Sequence, residues 1–345
     1  MDRGTFMIIV AGLLGSVMPS VAQPPSYGID FVTIGDPGNV ANFLPDPSGV
    51  SFTEGRGSVP YEYRIGKMEI TTSQWMEFAN AYAVRGGSFS TFARPSFWGG
   101  EFDPTYGGPG VRYRLRNLPG AANFPVVGIS WRECAQYCNW LHNEKATTLE
   151  AIGNGAYDAS TFVTNPNGTF GDQWTHNPGA KFWIPTLDEW IKAVHYDPAR
   201  NGPGQGGWWL YPHGSDSPVI YGPPGQGEAN SGFVIPGTGT YQIPLGAYPN
   251  SLTPWGLLDA AGAAAEWSEE ILYPGDPRER GLDGSAAEYP EGLALVSDRA
   301  TLIGSAGPQI QSTPGFRIAS MVPSPATAFP CVAIGIMLSK RRRAA

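Results

Sequence analysis

Phe124-Pro125-Val126-Val127-Gly128-Ile129-Ser130-Trp131-Arg132-Glu133-Cys134-Ala135-Gln136-Tyr137-Cys138-Asn139-Trp140-Leu141 joins a β-prone apolar run directly to the start of a helix. Ser130-x-x-Glu133 is a capping box, in which the serine oxygen accepts from an early helical amide and the glutamate reaches back to the serine N–H. The helix it opens is expected to run to about Asn143. Cys134, Tyr137, Cys138 and Leu141 recur at i, i+3, i+4 and i+7, which puts them on one inward face.

The same pattern recurs on both sides. Upstream, the strand-like run Tyr63–Ile70 meets Thr71-x-x-Gln74, and the helix that follows carries Trp75, Phe78 and Tyr82 as a core stripe. Downstream, Lys181-Phe182-Trp183-Ile184-Pro185 leads into Thr186-x-x-Glu189, with Trp190 and Ala193 facing inward. A further β-rich run covers Gly28–Ile34. After the third helix turns dominate, and no further helix is expected. With 46 glycines and 33 prolines in 345 residues, the chain is expected to fold as loop-rich α+β.

The two ends have a different composition. Arg3, an apolar stretch from Phe6 to about Val17, and Ser20-Val21-Ala22 follow the order of a secretion signal cut after Ala22. Residues 321–345 contain an apolar run from Ala326 to Leu338 closed by Lys340 and Arg341 to Arg343, the order of a membrane-sorting or anchoring tail. This tail resembles the PEP-CTERM tails of Gram-negative surface proteins, with Ser324 where those tails carry glutamate. The expected organisation is a signal at 1–22, a domain at 23–320 and the tail. The product is expected to be exported to the cell surface, outer membrane or extracellular space, with the tail as its membrane contact.

The formal charge is −8, and removal of both ends would take it to about −12. No basic stripe is present to neutralise phosphates, so nucleic acid is not an expected partner. Three cysteines do not make a disulfide scaffold. Cys134 and Cys138 are read as small buried hydrophobes, the alternative being a helical metal or redox pair.

Several phrases stand together in one order: Glu69-Ile70-Thr71 with Trp75 and Phe78; Phe124-Pro125-Val126-Val127 through Ser130-Trp131 to Tyr137-Cys138-Asn139-Trp140-Leu141; Ile184-Pro185-Thr186 through Glu189-Trp190; Tyr211-Pro212-His213-Gly214; Ala229-Asn230; Trp255-Gly256-Leu257 through Gly262 to Glu266-Trp267; and Gly315-Phe316-Arg317-Ile318-Ala319. In this order they resemble the formylglycine-generating enzyme, or sulfatase-modifying factor, superfamily. The resemblance implies an irregular, loop-rich α+β fold related to C-type lectins.

It also implies chemistry. The family's oxidases use two cysteines near the C-terminal end of the domain to hold copper, a metal that soft thiolates select. Trp267 to Arg317 contains no cysteine, and only nine residues separate Ser305 from Gly315. No catalytic residue is therefore assigned, and copper is not expected. His142, His176, His195 and His213 show no ligand-like spacing for the family's iron-dependent branch. The family's calcium loop carries over to Asp259 and Glu266 as carboxylate ligands and Gly262 and Ala264 as carbonyl ligands, a hard-oxygen set suited to Ca²⁺. A second, less complete calcium site would use Asn230 and Ser231.

Two functional readings follow. One is a non-catalytic exported domain that binds a peptide, glycan or matrix component, with the aromatic loop of Phe92, Phe97, Trp98, Phe102 and Tyr106 as a candidate ligand face. The other is a formylglycine-generating oxidoreductase, or a related metal-dependent oxidase, acting on exported proteins.

Overall fold

The computed structural model describes residues 23–234, 237, 239–271, 278–309 and 314–322. The proposed secretion signal and all but the first two residues of the proposed tail lie outside the described residues. Pro24–Val322 forms one compact unit. Among the described residues no helix is long and apolar enough to cross a membrane.

All three capping boxes form. Thr71 with Gln74 opens α1 (Thr72–Ala83), Ser130 with Glu133 opens α2 (Trp131–His142), and Thr186 with Glu189 opens α4 (Leu187–His195). Between α2 and α4 lies the one-turn α3 (Glu150–Gly153). The inward stripes meet as expected. Trp75 stacks on Tyr137 at 5.3 Å, and the Phe78 ring is edge-on to Trp75, Tyr82 and Tyr137. All four rings are essentially inaccessible to water, so α1 and α2 are locked face to face by aromatic area. Each such ring contributes roughly 1.5–3 kcal/mol on burial.

Two four-stranded sheets flank this helical core. The first is ordered β1 (Phe31–Ile34), β2 (Tyr63–Gly66), β12 (Ala319–Met321) and β5 (Phe182–Trp183), all antiparallel. The second is ordered β10 (Gly304–Ala306), β9 (Arg280–Asp283), β8 (Ala265–Ile271) and β11 (Pro314–Gly315). In it β11 runs parallel to β8, and the other pairs are antiparallel. Two small hairpin-like pairs complete the set, β3 (Gly100–Phe102) with β4 (Tyr113–Leu115) and β6 (Tyr196–Asp197) with β7 (Gly207–Trp208). The β11–Arg317–β12 segment belongs to both larger sheets, and so the Gly-Phe-Arg phrase joins them.

The expectation of no helix after α4 is corrected by α5 (Glu291–Ser297). Its N-cap is Pro290, which supplies no side-chain cap, so the signal that marks the other helices is missing. The fold is otherwise the mixed, loop-rich α+β arrangement expected.

Candidate functional site

The loop to which the resemblance assigns calcium, 259–266, contains two left-handed non-glycine residues. Asp259 has φ +53° and Ala263 φ +48°, left-handed values that non-glycine residues rarely adopt. The turn between them closes over Asn230, whose Oδ1 accepts from the Ala263 N–H at 2.8 Å. Ser231 Oγ lies 2.8 Å from Ser285 Oγ, which in turn accepts from the Gly262 N–H. The residues assigned to two separate calcium sites are therefore neighbours. Asn230 holds the 262–263 turn through its own side chain.

Glu266, at the start of β8, is the most heavily committed member. Its Oε2 accepts from Arg317 Nε at 2.6 Å and from Trp190 Nε1 at 2.9 Å, and its Oε1 accepts from Arg317 Nη2 at 2.5 Å. The Glu266 and Arg317 side chains are 2% and 0% exposed, so water screens this pair very little. Arg317 also donates to the Gly66, Leu258 and Asp259 carbonyls. Asp259 spends Oδ2 on the Gly246 N–H, and burial raises its carboxyl to about 6. These residues do not fit the calcium centre implied by the resemblance. The cation beside Glu266 is Arg317, and a divalent ion there would be buried against a guanidinium. Among the described residues no group of three or more His, Cys, Asp or Glu side chains is arranged to hold a metal ion.

A third carboxylate, Glu69, approaches the same loop. Its Oε1 accepts from the Ala264 N–H at 3.1 Å, while Oε2 is buried without a hydrogen-bond partner. Burial, with the negative charge of Glu266 behind it, pushes this carboxyl well above the usual range.

Cys134 and Cys138 are fully buried free thiols on α2. Burial pushes both thiols up, which removes the thiolate that redox or copper chemistry requires. Of the histidines, His195 is buried and lowered to about 3 by desolvation, and His176 stacks on Trp183 and bonds to Glu269.

The aromatic loop divides in two. Phe92 packs against the core and Trp98 is buried, whereas Phe97 and Phe102 stay exposed. Phe97 is fixed by reciprocal backbone bonds to Val127, and its ring lies 5.0 Å from that of Tyr241. These two rings line a cavity of about 450 Å³ between residues 94–100 and 239–242, into which Arg94 and Arg116 also turn. Sequence reasoning named Phe97 and Trp98 but missed the arginines and Tyr241. The available signal was local charge: residues 85–116 carry five arginines against Glu101 and Asp103 in an otherwise acidic chain.

Solved structures with the same fold include CarF, at 18% identity and TM-score 0.52, covering 86% of this chain and 99% of that one. A second is Treponema denticola variable protein 1, at 17% identity and TM-score 0.50, covering 85% and 95%. No curated protein matches the sequence. The family model described as the sulfatase-modifying factor enzyme 1-like domain matches residues 56–320, from the loop before β2 through the Arg317 junction to β12, and the chain belongs to that family.

Proposed function

We propose that this chain is an exported, non-catalytic member of the sulfatase-modifying-factor family that acts as a binding module at the cell surface. The observation that carries the reading is the state of the cysteines. The only two among the described residues lie in the α1–α2 core with their protons held on, and none falls between Trp267 and Arg317. Thiol-dependent oxidation needs an accessible thiolate. Export and surface retention rest on the signal-like and tail-like ends of the sequence.

Family membership favours the alternative, formylglycine formation in an exported sulfatase. The deciding experiment incubates the domain with a sulfatase substrate peptide, copper and oxygen and follows the peptide cysteine by mass spectrometry. The reading expects the cysteine to stay unmodified, and its conversion to formylglycine would overturn the reading.

A further inference from the structure

The cavity beside Phe97 combines three kinds of chemistry. Arg94 is held over the Phe102 ring at 4.6 Å, and Arg116, which is half-buried, also lines the cavity. Neither guanidinium has a hydrogen-bond or ion-pair partner among the described residues. By contrast, Arg114 on the same hairpin is paired with Glu101, and Arg56, Arg132 and Arg200 each hold a carboxylate. Two unpaired guanidiniums facing one cavity present planar donor forks matched to carboxylate or sulfate oxygens. No carboxylate lines the cavity.

The remaining wall suits a polar ring. Phe97 offers an aromatic face that is 47% exposed. Thr240 contributes a hydroxyl, and Gln242 accepts from the Gly239 N–H through Oε1, which leaves its amide nitrogen as donor. The walls are built rigidly. A Cβ on Gly99 would lie 1.9 Å from the Ala121 carbonyl oxygen, and the Gly99 carbonyl accepts from the Arg116 N–H at 2.8 Å. A preformed cavity of this volume lies in the range of small-ligand sites.

We propose that this cavity binds an acidic saccharide, with Arg94 and Arg116 pairing its carboxylate or sulfate, Phe97 covering a C–H face of the sugar ring, and Thr240 and Gln242 bonding its hydroxyls. The surrounding chain is acidic, so the selectivity is local to this cavity and is not a general attraction for polyanions. The proposal deepens the binding-module reading and rests on it.

Titration calorimetry of the intact domain with a hyaluronan tetrasaccharide (hexuronate only), a heparin tetrasaccharide (hexuronate and sulfate) and cellotetraose (neutral) tests this. At least one acidic probe should bind, and whether hyaluronan binds alongside heparin separates the carboxylate and sulfate sources. Cellotetraose should bind at least about tenfold more weakly, and Arg116→Gln and Arg94→Gln should each weaken the acidic probe about tenfold or more at an unchanged melting temperature. Phe97→Ala should weaken it while preserving the preference for acid over neutral sugar. Absence of binding by both acidic probes at millimolar concentration, equal affinity for cellotetraose, or unchanged affinity in both arginine variants would overturn the proposal. Such a failure, with no substrate-peptide conversion, leaves the module reading standing. Conversion overturns that reading whatever the sugars do.

Discussion

Arg317 grips Glu266 through Nε at 2.6 Å and Nη2 at 2.5 Å, across a sequence separation of 51 residues and with neither side chain in contact with water. The pair joins the two sheets, because Glu266 is the second residue of β8 while Arg317 precedes β12 and also bonds the carbonyl of Gly66 at the end of β2. Removing one partner leaves a buried charge without compensation. Glu266→Leu and Arg317→Met should each destabilise the domain by about 3–5 kcal/mol, and the two changes together should cost less than the sum of the single changes. Urea unfolding measures all of these. Full additivity would show that the pair is not coupled as the geometry requires.

Calcium has its own consequence. With Arg317 as the cation beside Glu266, chelator should leave the melting temperature of the purified domain unchanged, and added calcium should not raise it. A chelator-dependent fall that Asp259→Ala abolishes would restore the calcium centre and displace this account.

The thiols allow a direct chemical measurement. In a Cys331→Ser chain, Ellman's reagent should find neither Cys134 nor Cys138 in the native state and both after denaturation, since each is fully buried with its proton held. Rapid native labelling of either would reopen the redox reading.

Local signals made the helices legible. Thr71, Ser130 and Thr186 each stand three residues before a Gln or Glu that closes the cap, and the core stripes follow within about three helical turns of those caps. The site was harder to read because its contacts are long-range. Nothing near Glu266 in the sequence announces Arg317, and nothing near Phe97 announces Tyr241. The 259–266 segment was legible as a loop carrying two carboxylates, but the partner of Glu266 lies on another segment. Pro290, lacking a capping side chain, left α5 unmarked.

Gly262 offers a test of that constrained turn with a built-in control. At φ +79° an added Cβ would lie 2.4 Å from Asn230 Oδ1 and 3.0 Å from the Asn230 nitrogen, whereas at Gly256, with φ +86°, it would meet nothing within 4 Å. Both alanine variants incur left-handed strain of roughly 1–2 kcal/mol. Gly262→Ala adds a collision with the side chain that holds the turn and should lose at least about 1 kcal/mol more than Gly256→Ala. Equal losses in urea unfolding would mean that Asn230 yields freely and does not hold the turn.

The dependence of stability on pH should run opposite to ordinary acid denaturation between neutrality and about pH 5. Burial raises Glu189 to about 7, Asp298 to about 7 and Asp259 to about 6, each above its unfolded value. A raised folded pKa means that the native state holds the proton more tightly, so this stabilisation is present at low pH and is lost as pH rises through the folded value. Buried His195 acts in the other direction. Its folded pKa of about 3 lies below the ordinary 6.5, and stability falls as the unfolded imidazole takes up a proton below that value. Three carboxyls outweigh one imidazole from pH 7 to about 5, so the melting temperature should rise over that interval. Below about pH 4 the carboxyl contribution saturates while the histidine cost continues, and the melting temperature should turn down. Glu189→Gln should flatten the rise and His195→Gln the acid-side fall. A melting temperature that falls steadily from pH 7 to pH 5 would show that these carboxyls are ionised in the folded protein.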